Sequence, residues 1–149
     1  KKMIHTGDTG TQWGISKEEL MERISESAKA TADHFGDHIA YINVLRNMSV
    51  SCDCEGTAAQ PVVTPNIGIL ASTDILAGDQ ASVDLVYTLP EKYRHDLVER
   101  METRHGLRQL SYMKELGMGC DRYVILDMDH GDKPITLAEA VKNVKPFKA

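Results

Sequence analysis

The sequence has few cysteines, no long apolar run and no excess of basic residues. Its three cysteines cannot all pair in disulfides, and this small odd number favours a reducing, cytoplasmic compartment. No stretch approaches the roughly eighteen consecutive apolar residues of a membrane-spanning helix, so we expect no membrane partner. A formal net charge of −5 argues against nucleic-acid binding, which needs a basic surface.

Several common catalytic and cofactor-binding motifs are also absent. The chain has no G-x-G-x-x-G dinucleotide fingerprint, no G-x-S-x-G nucleophile elbow and no H-E-x-x-H metal motif. The glycine- and threonine-rich residues 3–14 lack the Gly-Lys-Ser/Thr ending of a phosphate-binding loop. Motifs therefore support neither a hydrolase nor a dinucleotide-binding enzyme, and we assign no catalytic residue.

What the sequence contains is typical of one α/β domain spanning residues 1–149. The chain is 42% hydrophobic and 26% charged, as in ordinary globular proteins. Residues 39–45 and 67–71 are apolar at nearly every position, as expected of strands covered on both faces. We predict a mixed or mainly parallel sheet with these strands as central neighbours and helices packed on it, either complete or as half of a larger α/β domain.

Local capping signals mark the helix boundaries. Ser16, with Glu19 three residues later, predicts the start of a helix, and Gly36 predicts its end. Ser72, Thr73 or Asp74 can cap a second helix that runs to about residue 88. Three more helices are predicted at residues 90–106, at 107 to Gly117 or Gly119, and at 137–143 after a Thr136 cap. A strand is predicted at residues 123–126.

The densest group of potential ligands is Cys52-Asp53-Cys54, between the two apolar strands. Two thiolates one residue apart can reach one soft metal ion, but a closed zinc or cluster site needs four ligands. Further candidates, by residue type alone, are Cys120, His5, His34, His38, His95, His105 and His130. The alternative is that these cysteines are packed or surface residues, since a free cysteine behaves as a small hydrophobe. The spacing leaves both interpretations open.

Two carboxylates, Asp74 and Asp79, flank the start of the second predicted helix. Because parallel neighbouring strands end at one edge of a sheet, we expect these aspartates to lie near Cys52 and Cys54 as metal ligands. They are also candidates for an acid and base pair without a metal. The alternative is that Asp74 caps the helix while Asp79 and Asp84 are solvated helix residues.

Taken together, these segments resemble the later half of a family of uncharacterised iron–sulfur-centre proteins, known as domain of unknown function 362. The resemblance runs from about Gly14 to Leu126. It rests on Tyr41-Ile-Asn-Val, Cys52-Asp-Cys54, Ile67-Gly-Ile-Leu-Ala-Ser72-x-Asp74, Asp79-Gln80-Ala81, Val83-Asp-Leu-Val86, Arg104-His-Gly106 and Glu115-Leu-Gly-Met-Gly119. One departure is Ile75, where the family usually has a proline after the first aspartate.

The resemblance implies an α/β protein about twice as long, whose amino-terminal half lies outside this chain. Many members carry a ferredoxin-like insert of closely spaced cysteines, which this chain lacks, so a metal or iron–sulfur role here would rest on Cys52 and Cys54. The implied cofactor is an iron–sulfur cluster or a soft metal such as zinc, with a redox-linked role. The alternative is a structural or interaction half-domain that docks on the missing segment, or on a second copy, without catalysis.

Overall fold

The computed structural model describes residues 15–50 and 62–146. These residues form helices and strands in the order α1, β1, β2, α2, α3, α4, β3, β4, α5. The helices are α1 Lys17–Phe35, α2 Ile75–Thr88, α3 Glu91–Thr103, α4 Arg108–Glu115 and α5 Leu137–Val141. The strands are β1 Tyr41–Leu45, β2 Gly68–Ser72, β3 Ile125–Asp127 and β4 Lys133–Ile135. The expected mixture of helix and sheet is confirmed, whereas a single domain over residues 1–149 stays a prediction.

The two predicted central strands are neighbours, but they pair antiparallel. Tyr41 lies opposite Ser72 and Leu45 opposite Gly68. The other ladder, between β3 and β4, is antiparallel too, so the prediction of a mixed or mainly parallel sheet is wrong for the described residues. An apolar run indicates burial and not strand direction, because parallel and antiparallel strands share the same alternation of side chains.

The prediction that both strands are covered on both faces is also corrected. One face of the β1–β2 hairpin, which we call the outer face, consists of Ile42, Val44, Ile69 and Ala71. Ile42, Val44 and Ile69 are 66%, 56% and 69% exposed. The other face is turned towards α2, where Asn43 contacts helix side chains. Within the described residues, the hairpin is therefore covered by a helix on one side only.

The core is built around α2. This helix packs against β1, β2, α3, α4 and α5, and Leu76, Leu85 and Val86 are at most 4% exposed. Gly78 lies against the hairpin, where a Cβ would be 3.4 Å from Ser72 Cβ. The most buried helix thus presents a glycine to the sheet at a position where a single methyl group would make an ordinary van der Waals contact.

A second contact layer joins α1 to α4. Ser16 accepts a hydrogen bond from the Glu19 backbone N–H at 3.1 Å, which confirms the predicted helix start. Arg108 pairs with Glu22 of α1 at 2.6 Å and with Glu115 of α4 at 2.6 Å. This arginine ties together two helices that are distant in the sequence.

The carboxyl-terminal part adds a small hairpin and a short helix. Strand β4 was not predicted from the sequence, because it is three residues long and contains Pro134, which lacks a backbone donor and is tolerated at sheet edges. The Thr136 cap of α5 is confirmed by reciprocal hydrogen bonds with Glu139. Among residues 15–50 and 62–146, no helix has the length and apolar character needed to cross a membrane.

Candidate functional site

Asp74, one of the predicted ligands, is the N-cap of α2. Its Oδ1 accepts a hydrogen bond from the Ala77 backbone N–H at 2.9 Å, as expected for a helix cap. Its own backbone N–H donates to Ser72 Oγ at 3.0 Å. The capping interpretation of Asp74 is therefore confirmed, and it does not conflict with a metal role, because each carboxylate oxygen has two lone pairs.

The second carboxylate oxygen of Asp74 reaches a segment 46 residues away. Asp74 Oδ2 accepts a hydrogen bond from the Cys120 backbone N–H at 2.8 Å. The preceding residue, Gly119, has a φ of 153°, and a Cβ placed on it would lie only 2.0 Å from Asp74 Oδ1. We call Asp74, Gly119 and Cys120 the Asp74 corner. It brings the backbone of Cys120, whose side chain is exposed, against a predicted carboxylate ligand.

Asp79 lies on the helix side of the β1–β2 hairpin. Asn43 Nδ2 donates to Asp79 Oδ1 at 2.8 Å and to Ser82 Oγ at 2.9 Å. The Ser82 hydroxyl donates in turn to the Gly78 carbonyl at 2.8 Å. The description of Asp79 as a solvated helix residue is thus wrong, because it holds β1 to α2 through a polar network.

A third aspartate of α2, Asp84, anchors the segment that follows the Asp74 corner. The Tyr123 hydroxyl donates to Asp84 Oδ2 at 2.5 Å, and Gln80 Nε2 donates to Asp84 Oδ1 at 2.9 Å. Burial, followed by the adjacent Asp84 carboxylate, raises the pKa of the Tyr123 hydroxyl well above its ordinary value. Residues 119–123 are therefore attached to α2 at two points.

Comparison with known families adds one finding. The model of a domain of unknown function, DUF362, matches residues 1–84, which is more than half of the chain. The chain belongs to the DUF362 family. Neither the curated proteins nor the solved structures contain a match. The matched part of this DUF362 chain includes Cys52, Cys54, Asp74 and Asp79.

Two of these four DUF362 residues, Cys52 and Cys54, lie outside the described residues. The argument that placed them near Asp74 relied on parallel strands, and that argument is wrong for β1 and β2. In the antiparallel hairpin, the end of β1 that leads towards the cysteines lies opposite Gly68, roughly 14 Å along the ladder from Ser72. Proximity of the cysteines to Asp74 stays a prediction.

Among the described residues, no three histidine, cysteine, aspartate or glutamate side chains are grouped so that they could hold a metal ion. Three of the histidine candidates pair with nearby carboxylates: His95 with Asp96, His105 with Glu18 and His130 with Asp127. His5 lies outside the described residues. Sequence reasoning considered Cys120 only by residue type and missed its contact with Asp74. Gly119 was a usable signal, because a glycine just after a predicted helix end often marks a close backbone approach.

The Tyr123–Asp84 contact should make the stability of the fold fall with rising pH in the alkaline range. The pKa of Tyr123 is higher in the folded chain than in the unfolded one, so the contact stabilises the fold below about pH 10 and loses this effect as the pH rises further. Tyr123→Phe is expected to cost about 1 kcal/mol at neutral pH. Urea unfolding between pH 8 and pH 11 should show the stability difference between parent and variant narrowing above pH 10. A difference that stays constant over this range would contradict the assignment.

Proposed function

We propose that this DUF362 chain binds a soft metal ion or an iron–sulfur cluster through Cys52 and Cys54, with a redox-linked role. The observation that carries the proposal is the pair of thiols one residue apart inside the segment that matches the family. Thiolate ligands select zinc, copper(I) or iron–sulfur clusters over calcium and magnesium. The donor set of the chain therefore fits a soft metal better than a hard one.

The Asp74 corner supports this proposal from the described part of the chain. There the backbone N–H of Cys120, a residue with an exposed side chain, donates to the carboxylate of Asp74 at the N-terminus of α2. Asp79 would tune the site and not ligate the metal, since its Oδ1 already accepts a hydrogen bond from Asn43. At least one further ligand would come from water or from a polypeptide outside this chain, because two thiolates leave a four-coordinate ion incomplete.

The deciding experiment is anaerobic reconstitution with iron and sulfide, and separately with zinc. We expect the parent chain to take up metal, and Cys52→Ser combined with Cys54→Ser to lose at least nine-tenths of that uptake, because serine is a poor soft-metal ligand. Metal analysis and visible absorption report the result. Equal uptake by the double variant would show that the site is elsewhere or absent.

Cys120→Ser is the control, since it makes the same chemical change at the third cysteine of the chain, which is exposed. This variant should keep most of the uptake, because the Cys52–Cys54 pair is intact. If Cys120→Ser abolished uptake while the double variant retained it, the ligand assignment would have to move to the Asp74 corner.

We also propose, as the second candidate, that the chain is the interaction-bearing part of a longer DUF362 protein. The supporting observation is the outer face, which leaves three large apolar side chains of a β-hairpin in solvent. Exposed contiguous apolar surface is typical of sites that other polypeptide covers. The partner would be an amino-terminal segment of the same protein or a second copy of the chain.

Thiol labelling at the outer face tests the interaction proposal. The cysteine of Val44→Cys should react with a thiol-specific reagent at least tenfold more slowly in the complete gene product than in the 149-residue chain. Mass spectrometry of the peptide that contains residue 44 measures the rate. Lys133→Cys, at an exposed polar position of β4, is the control and should react equally in both. Equal rates at residue 44 in both proteins, at any protein concentration, would contradict the proposal.

A further inference from the structure

We infer that the outer face is the docking surface for an amphipathic α-helix carried by the same polypeptide. The inference rests on the interaction proposal and names the kind of partner. It does not depend on metal binding. The helix would form a third layer, on the side of the β1–β2 hairpin opposite α2.

The outer face is contiguous and uncharged. Across the ladder Ile42 lies opposite Ala71, and Val44 lies opposite Ile69, so the four side chains form one two-by-two patch. Neither Tyr41–Leu45 nor Gly68–Ser72 contains a charged residue, although 26% of the whole chain is charged. A partner that fits this patch must therefore present apolar side chains.

The dimensions of the face match one short helix. Five-residue strands are roughly 14 Å long over four steps, and two strands are roughly 10 Å wide. A helix with its side chains is about 10 Å in diameter, and about nine residues span 14 Å. The inner side of the same hairpin is already covered in this way by α2. An added strand would extend an edge of the ladder and leave the outer face in solvent.

The small area of the face argues against a second copy as the occupant. The patch consists of four side chains, whereas a stable interface between separate proteins involves about 20–30 residues on each partner. A small contact becomes effective when its two sides belong to one chain, because tethering raises the effective concentration to roughly millimolar. The occupant is therefore a segment of the same polypeptide.

Photo-crosslinking of the complete gene product tests this inference. Benzoylphenylalanine replaces Val44 in one sample and Ile69 in another, and cross-linked residues are mapped by mass spectrometry. We expect cross-links within one molecule, to positions spaced three or four residues apart, as on one face of a helix. The same probe in place of Lys133, which is exposed on β4, should give no cross-link to that segment.

Three results would overturn the inference. Cross-links to alternate residues would indicate a strand. A cross-linked product of twice the mass of the protein would indicate a second copy. A gene that encodes no polypeptide beyond these 149 residues would remove the occupant. Slow labelling of Val44→Cys together with a strand-like pattern would reject the helix and keep the interaction proposal, whereas unchanged labelling would reject both.

Discussion

Gly119→Ala is expected to lower the free energy of unfolding by roughly 2–4 kcal/mol, the sum of backbone strain and loss of a helix cap. The added Cβ would lie 2.0 Å from Asp74 Oδ1, and the φ of Gly119, 153°, is one that other residues rarely adopt. The Asp74 carboxylate cannot turn aside without losing its bonds to the backbone N–H groups of Ala77 and Cys120. Urea unfolding at neutral pH measures the effect.

Gly117→Ala is the matched control for this prediction. Gly117 also has a positive φ, of 67°, but a Cβ there would have no atom within 4 Å. Its replacement should cost only about 1–2 kcal/mol, from the left-handed backbone alone. Equal losses in the two variants would contradict the close approach of Gly119 to Asp74.

A double-mutant cycle identifies the atom responsible. With Asp74→Ala already present, the carboxylate is gone, so Gly119→Ala should cost less than it does in the parent chain. If the free-energy costs of the two single variants add up to that of the double variant within about 0.5 kcal/mol, the two residues do not interact.

Leu76→Ala is expected to destabilise the chain by roughly 2–5 kcal/mol, the usual range for a large side chain removed from a core. Leu76 is 0% exposed and lies in the first turn of α2, the helix that contacts β1, β2 and three other helices. Alanine is the better helix former, so the loss would come from packing and not from helix propensity. Thermal unfolding and urea unfolding should both show this loss of stability.

Ile69→Ala provides the comparison, because Ile69 is equally apolar in the sequence but 69% exposed on the outer face. In the 149-residue chain it should cost less than about 1 kcal/mol. A loss as large as that of Leu76→Ala would mean that the outer face is already covered in this chain. In a longer DUF362 protein with the face covered, the cost of Ile69→Ala should rise.

The sequence by itself determined the features that depend on neighbouring residues. Ser16 and Thr136 are predicted as helix caps and Asp74 is one of three candidates, and each of the three accepts the backbone hydrogen bond expected of a cap. Helix capping is decided within about four residues, so it can be predicted without the fold. The two central strands, and membership of the DUF362 family over residues 1–84, were also accessible from the sequence.

The candidate site was only partly accessible. Asp74 and Asp79 stood out as carboxylates near a helix start, but their partners, Cys120 and Asn43, are 46 and 36 residues away. No local pattern encodes such a pair, because a hydrogen bond between distant segments depends on how the helices and strands pack. Gly119 hinted at a close approach without naming Asp74 as the group approached.

Strand direction and exposure were decided by the tertiary structure alone. Ile42 and Leu45 belong to the same apolar run, yet Ile42 is 66% exposed and Leu45 is 9% exposed. The difference arises because α2 folds back onto one face of the hairpin, while successive side chains of a strand point to opposite faces. The sequence shows which side chains are apolar. Which of them are buried depends on where the next layer of structure packs.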